Sequence, residues 1–307
     1  MSAARRQRGV ALVLVLWVSV LLTVIASSFI MERRTETLIV RNSASLARAE
    51  AAADAGVHRG IYDMYRSDNA PERWKRDGSV QDWTFDAIPV RVELRDESAK
   101  IDINTASEPL LRGLLTSSGL NDEEAARLLD AVLDWRDPDA LKRPNGAEEP
   151  DYRDAGLSYK PANSAFQAIE ELQLVLGMRP DLYRRLAPSI TVFSRQPGVN
   201  PQIARREVLL AIPGLTAEIV DRYIADREAA RRQGLPLPAL PQAGGIASGN
   251  SMVATIRSEA RLDDGTLFVR EAVALLRPVP RKAVTFISWR ESTAGAVTAG
   301  VGAEEQD

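Results

Sequence analysis

Two short acidic runs lie near the middle of the chain, and their oxygen atoms could bind a hard cation. Irregular loops rich in Asp and Glu supply the roughly six to eight oxygen ligands that calcium prefers. A turn at Pro144-Asn145-Gly146 would fold the second run back toward the first. The predicted ligands are Asp134, Asp137 and Asp139 from the first run, and Glu148, Glu149 and Asp151 from the second.

The same residues permit plainer interpretations. Their spacing fits no EF-hand, so on the residues alone a solvated loop is favoured over a calcium site. A hydrolase that uses these paired carboxylates is a further alternative. The chain has no cysteine, a single histidine (His58) that we place on a helix surface, no Gly-x-Ser-x-Gly motif and no phosphate loop. We therefore predict no catalytic residue and no enzyme activity.

A second candidate site is a glycine turn that recurs three times before a predicted helix. The turns contain Gly119, Gly177 and Gly214, and they resemble helix-hairpin-helix units, which bind the DNA backbone. Asn121-Asp122-Glu123-Glu124 follows the first turn, and 39 basic residues against 42 acidic ones give no general attraction to phosphate. We expect compact helix packing and no nucleic-acid partner, with a membrane-anchored DNA-uptake protein as the alternative function.

The elements that position these residues follow from hydrophobic periodicity. A helix is predicted through Ile61, with an apolar stripe that needs a surface to lie on, formed by Leu38, Leu46, Ala49, Ala53, Val57 and Ile61. Alternation predicts a hairpin between Val90–Leu94 and Ile101–Ile103, and strands at Val253–Leu262, Phe268–Leu276 and Val284–Trp289. Between these strands, Ser107 to about Arg232 has helical spacing. Trp83, Trp135 and Trp289 are expected in cores.

The N-terminus carries the strongest signal. Gly9 to Met31 is uncharged and mostly apolar, long enough for a helix that spans a bilayer. Arg5, Arg6 and Arg8 precede it, and basic flanks stay in the cytoplasm, which places the head outside. A signal peptide cleaved near Ala26-Ser27-Ser28 is the alternative, but the length of the segment favours a retained anchor.

A basic leader that ends in Gly9, followed by an apolar helix from Val10 that continues as an amphipathic rod, resembles the type IV pilins and type II secretion pseudopilins. The resemblance implies that prepilin peptidase cleaves after Gly9 and that the amine of Val10 is methylated. Most members carry glutamate at the fifth mature residue, where this chain has Leu14. Absence of that glutamate is typical of the K-type minor pseudopilin of the type II system, which sits at the filament tip.

This resemblance implies a non-enzymatic assembly role in the bacterial inner membrane, with a periplasmic head. The implied partners are the I-type and J-type minor pseudopilins, the major pseudopilin and prepilin peptidase. K-type members bind calcium near a run like the one from Asp134, so a structural calcium ion is expected here, although Glu149 and Pro150 depart from the usual acidic stretch.

The predicted fold is α+β, with a long N-terminal helix packed on an antiparallel pilin-like sheet that contains an inserted all-α domain. In chain order the predicted parts are leader 1–9, membrane helix 10–31, periplasmic helix 32–65, first sheet part 66–104, α-domain 105–234, linker 235–250, second sheet part 251–291 and disordered tail 292–307.

Overall fold

The computed structural model describes residues 8–67, 70–240, 244–247, 249–276 and 284–292. Seven α-helices and seven β-strands lie in these ranges. The helices are α1 (Arg8–Tyr65), α2 (Glu108–Ser117), α3 (Asp122–Arg136), α4 (Glu149–Asp154), α5 (Pro180–Leu186), α6 (Arg206–Leu210) and α7 (Ala217–Gln233). The strands are β1 (Asp77–Phe85), β2 (Ile88–Asp96), β3 (Ile101–Asp102), β4 (Ile190–Thr191), β5 (Val253–Arg261), β6 (Leu267–Leu276) and β7 (Val284–Glu291).

Helix α1 is one continuous rod of 58 residues. No proline interrupts it, and at about 1.5 Å per residue it is roughly 87 Å long. Its second half packs on the sheet through small residues, among them Ala49, Ala52 and Ala53. A Cβ atom added at Gly56 would lie 2.2 Å from Ser258 Oγ, so helix and sheet approach more closely there than any side chain would allow.

The five-stranded antiparallel sheet has the order β1-β2-β5-β6-β7. Strands β2 and β5 are neighbours, with Leu94 opposite Ile256, although more than 150 residues separate them in the chain. One face of the sheet packs against α1 through Val90, Val92 and Leu94. The helical unit therefore stands as an insertion between two paired strands.

The hairpin predicted between Val90–Leu94 and Ile101–Ile103 is wrong. β2 pairs instead with β1, a strand for which the sequence pattern yields no separate prediction, and β3 pairs in parallel with β4. The reason is the side chain of Asp96, which accepts hydrogen bonds from Ser98 N and Ser251 N and turns the chain out of the sheet. The inserted unit is consequently helical apart from the short β3–β4 pair.

The helical unit has its own hydrophobic core, separate from the core between α1 and the sheet. Its largest fully buried side chains include Tyr152, Leu129 and Leu209. Gly119, Gly177 and Gly214 have φ values of 96°, 90° and 84°, the left-handed conformation that lets the chain reverse before α3, α5 and α7.

The α+β architecture with an N-terminal helix on an antiparallel sheet is confirmed, and so are the three C-terminal strands. Trp135 is buried and Trp83 is partly buried, but Trp289 is 37% exposed, so the core prediction for Trp289 is wrong. Most of the predicted leader (1–7), parts of the linker (241–243 and 248) and the tail from 293 onward lie outside the described residues.

Candidate functional site

The N-terminal half of α1 is not covered by any other part of the chain that the structure describes. Leu12–Phe29 has a mean hydropathy of 2.5 and none of it is buried, and by length and composition it could cross a membrane. Leu14 lies in this stretch and is 62% exposed. The backbone of Gly9 and Val10 belongs to the first turn of α1, and the side chain of Val10 lies outside the described part.

The apolar stripe predicted along the rod divides into two parts. From Ala49 onward it is buried against the sheet, as shown by Ala53 and Val57, each fully buried. Leu38 and Leu46, on the membrane side of that point, are 51% and 47% exposed. The head therefore covers only the last part of the stripe, and the first part presents apolar side chains that nothing else in the described chain covers.

Two polar contacts fasten the rod to the sheet. Ser45 Oγ donates a hydrogen bond of 2.6 Å to Asp264 in the β5–β6 turn. This contact, with two hydrogen bonds from Thr266, lowers the pKa of Asp264 to about 2. Further along, Arg270 of β6 contacts Glu50 and Asp54 of α1 at 2.6 Å each. The position of the rod on the head is thus set by charge as well as by small-residue packing.

The acidic region forms a loop that folds back on the end of α3. Asp134 is fully buried and accepts hydrogen bonds from the backbone N–H groups of Arg143 and Ala147. A Cβ atom at Gly146 would lie 1.9 Å from Asp134 Oδ2, so only glycine permits this approach. Asp134 therefore holds the loop closed by accepting hydrogen bonds from the backbone N–H groups of the loop.

Three of the six predicted ligands share one electrostatic environment. Burial is the largest cause that raises the pKa of Asp134, of Asp137 and of Glu148, and repulsion from a neighbouring carboxylate adds to it at each. Asp137 Oδ1 and Glu148 Oε1 are buried and have no hydrogen-bond partner among the described residues. Asp139 is exposed and accepts from Leu141 N, but its charge still raises the pKa of Asp137 and Glu148.

The other two predicted ligands point away from this group. Glu149 pairs with Arg153 at 2.9 Å and with Lys160 at 3.3 Å. Asp151 pairs with Lys142 and caps α4 by accepting from Glu148 N. Across the described residues, no three His, Asp or Glu side chains converge as a ready-made metal site. The calcium site stays a prediction, with a narrower ligand set than the sequence suggested.

Sequence reasoning missed Asp130, which holds the other side of this loop. Its carboxylate accepts from Asn145 N at 3.1 Å and from Arg143 Nε at 3.3 Å. Asp130 precedes Asp134 by one helical turn, so the two carboxylates share a face of α3, and that spacing was the available signal.

A buried acidic pair at the junction of sheet and helical unit was also missed. Glu97 contacts Lys100 at 2.8 Å and accepts from Thr255 at 2.6 Å and from Thr191. Burial alone would raise the pKa of Glu97, but Lys100 and the two hydroxyl groups lower it. Burial raises the pKa of the neighbouring Asp96, although the positive charge of Arg76 acts to lower it. Glu97 therefore ties the end of β2 to β4 of the inserted unit and to β5, whereas Asp96 ties it to Ser251, just before β5.

Comparisons with known proteins agree on one family. Residues 91–198 match the family described as "Type II secretion system (T2SS), protein K". "Type II secretion system protein K" of Aeromonas hydrophila is 30% identical over 219 residues, 62% of this chain and 65% of that protein. The Pseudomonas aeruginosa protein of the same name is 28% identical over 246 residues, 71% of this chain and 72% of that protein.

The fold is also found in a solved structure, the GspK-GspI-GspJ complex from the type 2 secretion system of enterotoxigenic Escherichia coli. The similarity has a TM-score of 0.55 at 15% identity, and it covers 86% of this chain and 100% of the matched one. These matches give no support to the DNA-uptake alternative.

Proposed function

We propose that the chain belongs to the type II secretion system protein K family and that it is a minor pseudopilin. In this role it is a structural subunit of a secretion filament, where it contributes binding surfaces and no bond-making chemistry. Its partners are the I-type and J-type minor pseudopilins and the major pseudopilin. The relatives are named for the type II secretion system, and we propose that the whole of this chain has a role in that system.

The observation that carries this proposal is the division of α1 at Ala49. Leu38 and Leu46 lie between the apolar span and the sheet, and both are exposed. Helix α1 therefore has a face that its own domain does not bury. Burial of a leucine side chain is worth about 1.5–3 kcal/mol, so such a face favours association with other helices. Partner pseudopilin rods are the helices that this arrangement fits.

The membrane topology follows from the same helix. Leu12–Phe29 anchors the chain in the inner membrane, and the basic residues Arg5, Arg6 and Arg8 stay in the cytoplasm. The head, with its sheet and helical unit, then lies in the periplasm. Prepilin peptidase cleaves between Gly9 and Val10 and methylates the new amine of Val10.

A place at the filament tip follows from Leu14 and from the size of the head. An isolated charge at membrane depth is costly, and the resemblance to pilins implies that the usual glutamate at this position pairs with the amine of the subunit ahead of it. Leu14 offers no such charge. The helical unit from α2 to α7 adds bulk beside the sheet that a thin filament would accommodate at its end.

A structural calcium ion is part of the proposal, held by Asp134, Asp137 and Glu148 with Asp139 beside them. The donor set fits a hard cation because it consists of carboxylates, two of which have buried oxygens without a partner, on Asp137 and Glu148. Burial raises the pKa values of Asp137 and Glu148 most and repulsion between carboxylates adds to it, and a bound cation would offset both by stabilising the ionised forms. Glu149 and Asp151 are left out because lysine and arginine neutralise them already.

Mass spectrometry of the N-terminus tests the proposal, using protein purified from cells that contain the secretion machinery. We expect a chain that begins at Val10 and carries one methyl group on its amine. A chain that begins at Ser27 or Ser28 would mean that α1 is cleaved off as a signal peptide, and the proposed function would be wrong.

A further inference from the structure

The stretch of α1 between the apolar span and the head carries a row of charges on each side of its apolar stripe. Arg34, Arg41 and Arg48 recur every seven residues, close to two helical turns, and so form a basic row along one side of the helix. Glu36 and Glu50, two such intervals apart, form an acidic row. At about 100° per residue, each row lies about 100° from the middle of the apolar stripe. The stripe is therefore flanked by charges of opposite sign.

The head balances one charge in each row. In the basic row, Arg41 acts electrostatically on the carboxylate of Asp264 in the β5–β6 turn. In the acidic row, Glu50 accepts a hydrogen bond of 2.6 Å from Arg270 of β6. These two rod charges are therefore partly neutralised within the chain and are less available to another molecule.

Arg48 and Glu36 are the charges that remain available. Both are exposed, and their side chains form no hydrogen bond or ion pair with another residue in the described ranges. Arg33 is three residues before Glu36, but its guanidinium lies over the ring of Phe29, 5.2 Å from the ring centre. Each row thus offers one charged side chain to a partner, on opposite sides of the same apolar stripe.

Membrane lipids do not fit as the partner of Arg48. The apolar span ends at Phe29, and at about 1.5 Å per residue Arg48 lies about 28 Å further along the helix. Charges are screened over about 8–10 Å at physiological ionic strength, so the headgroups are too distant to attract this arginine. The partner must lie beside the rod, as a helix packed on the apolar stripe does.

A second copy of this chain does not fit either. In two parallel helices packed through their apolar stripes, the basic row of one faces the acidic row of the other. Copies anchored by the same span would lie at equal depth, which places Ser43 of the acidic side at the level of Arg41 and Glu50 at the level of Arg48. Serine has no charge, and Glu50 is already bound to Arg270. A copy therefore brings no available carboxylate to either arginine.

We propose that the uncovered stripe binds the N-terminal rod of a different subunit, which runs parallel to α1 and carries an acidic residue beside Arg48 and a basic residue beside Glu36. The inference rests on the proposed function and adds to it the charge pattern of the partner's surface. Burial of Leu38 and Leu46 supplies most of the affinity. The flanking charges determine which rod is accepted and at which register, because like charges in contact are unfavourable.

Disulfide cross-linking tests the charge pattern in cells that carry the whole secretion system. Leu46→Cys is combined with single cysteines along the rods of the other subunits, and the yield of heterodimer is measured by non-reducing immunoblot against the total protein. Arg48→Glu is added to reverse the available basic charge. Ala44→Glu is the matched control, because Ala44 is exposed on the side of the helix opposite the apolar stripe. In a third arm, acidic residues of the partner's rod are changed one at a time to lysine.

We expect Arg48→Glu to lower the heterodimer yield by about fivefold or more, as for a like charge in place of an opposite one. Ala44→Glu should leave the yield unchanged, and one lysine substitution in the partner should restore it in the Arg48→Glu chain. An unchanged yield in Arg48→Glu, an equal loss in Ala44→Glu, or no restoration by any lysine would overturn the inference while the filament role stands. A Leu46→Cys homodimer would also overturn it. If Leu46→Cys with Arg48 intact forms no heterodimer, the proposed function itself is wrong.

Discussion

Arg270 of β6 donates a hydrogen bond from Nε to the carboxylate of Asp54 on α1 over 2.6 Å. A second bond of 2.6 Å runs from its Nη2 to Glu50, and the arginine side chain is only 9% exposed. The two acidic residues lie one helical turn apart, so a single guanidinium fixes both the position and the rotation of the rod on the sheet.

Replacing Arg270 with alanine should loosen the rod from the head. The pair is half-open to solvent on its acidic side, so we expect a loss of about 1–3 kcal/mol in the free energy of unfolding, between the values for exposed and buried pairs. Arg127→Ala, which removes an exposed pair with Glu123, is the control and should cost less than about 0.5 kcal/mol. Urea denaturation monitored by circular dichroism measures both. Equal costs for the two variants would mean that the Arg270 contact contributes nothing to docking.

Gly146→Ala should disrupt the acidic loop. The new Cβ atom would overlap Asp134 Oδ2 at 1.9 Å, and the buried carboxylate could move only by giving up its backbone hydrogen bonds. Overpacking of this kind costs about 1–3 kcal/mol. Hydrogen exchange of the backbone amides of residues 143–147 is the measurement, with Lys142→Ala as a control in the same loop. Unchanged protection in Gly146→Ala would contradict the geometry.

Calcium should raise the melting temperature at pH 7.5 and have little effect near pH 4. The raised pKa values of Asp134, Asp137 and Glu148 mean that their ionised forms destabilise the fold. Without the ion, this penalty is absent below the unfolded pKa and is fully present once the pH exceeds the folded pKa. A bound cation removes the penalty only where the groups are ionised. Differential scanning calorimetry with calcium and with a chelator makes the comparison.

Two substitutions distinguish the calcium ligand set that leaves out Glu149 and Asp151 from the set of six ligands predicted from the sequence. Asp137→Asn should reduce the calcium-dependent shift in melting temperature, because Asp137 Oδ1 is a buried oxygen without a partner. Glu149→Gln should leave the shift unchanged, because Glu149 is exposed and pairs with Arg153 and Lys160. If Glu149→Gln abolished the shift, or if calcium had no effect at pH 7.5, the proposed site would be wrong.

The sequence predicted the long helix, the last three strands and the helical unit because hydrophobic periodicity is a local signal. It did not predict that β2 leaves the sheet at Asp96, since the donors that capture this carboxylate include Ser251, more than 150 residues away. β1 was missed because its side chains are only partly buried and show no clean alternation.

The acidic site was predicted only in part for a related reason. Asp and Glu residues can be located in a sequence, but which of them keep a free oxygen depends on where cations fall in the fold. Lys142 neutralises Asp151 and Lys160 neutralises Glu149, whereas Asp137 and Glu148 have no such partner in the described structure. Sequence spacing carries no information about these pairings.

In the proposed filament, the exposed part of α1 packs against helices of partner pseudopilins. The chain has no cysteine, so Leu46→Cys introduces a unique thiol at a position that is 47% exposed on the uncovered stripe. Oxidative cross-linking in cells that carry the whole secretion system, with single cysteines along the N-terminal helices of the I-type and J-type subunits, measures the contact directly. Arg153→Cys, on the exposed surface of the helical unit, is the control. We expect a disulfide-linked heterodimer for Leu46→Cys and none for Arg153→Cys. If the Leu46→Cys protein is anchored in the membrane but forms no heterodimer with a cysteine at any partner position, the proposed packing of α1 against partner helices is wrong.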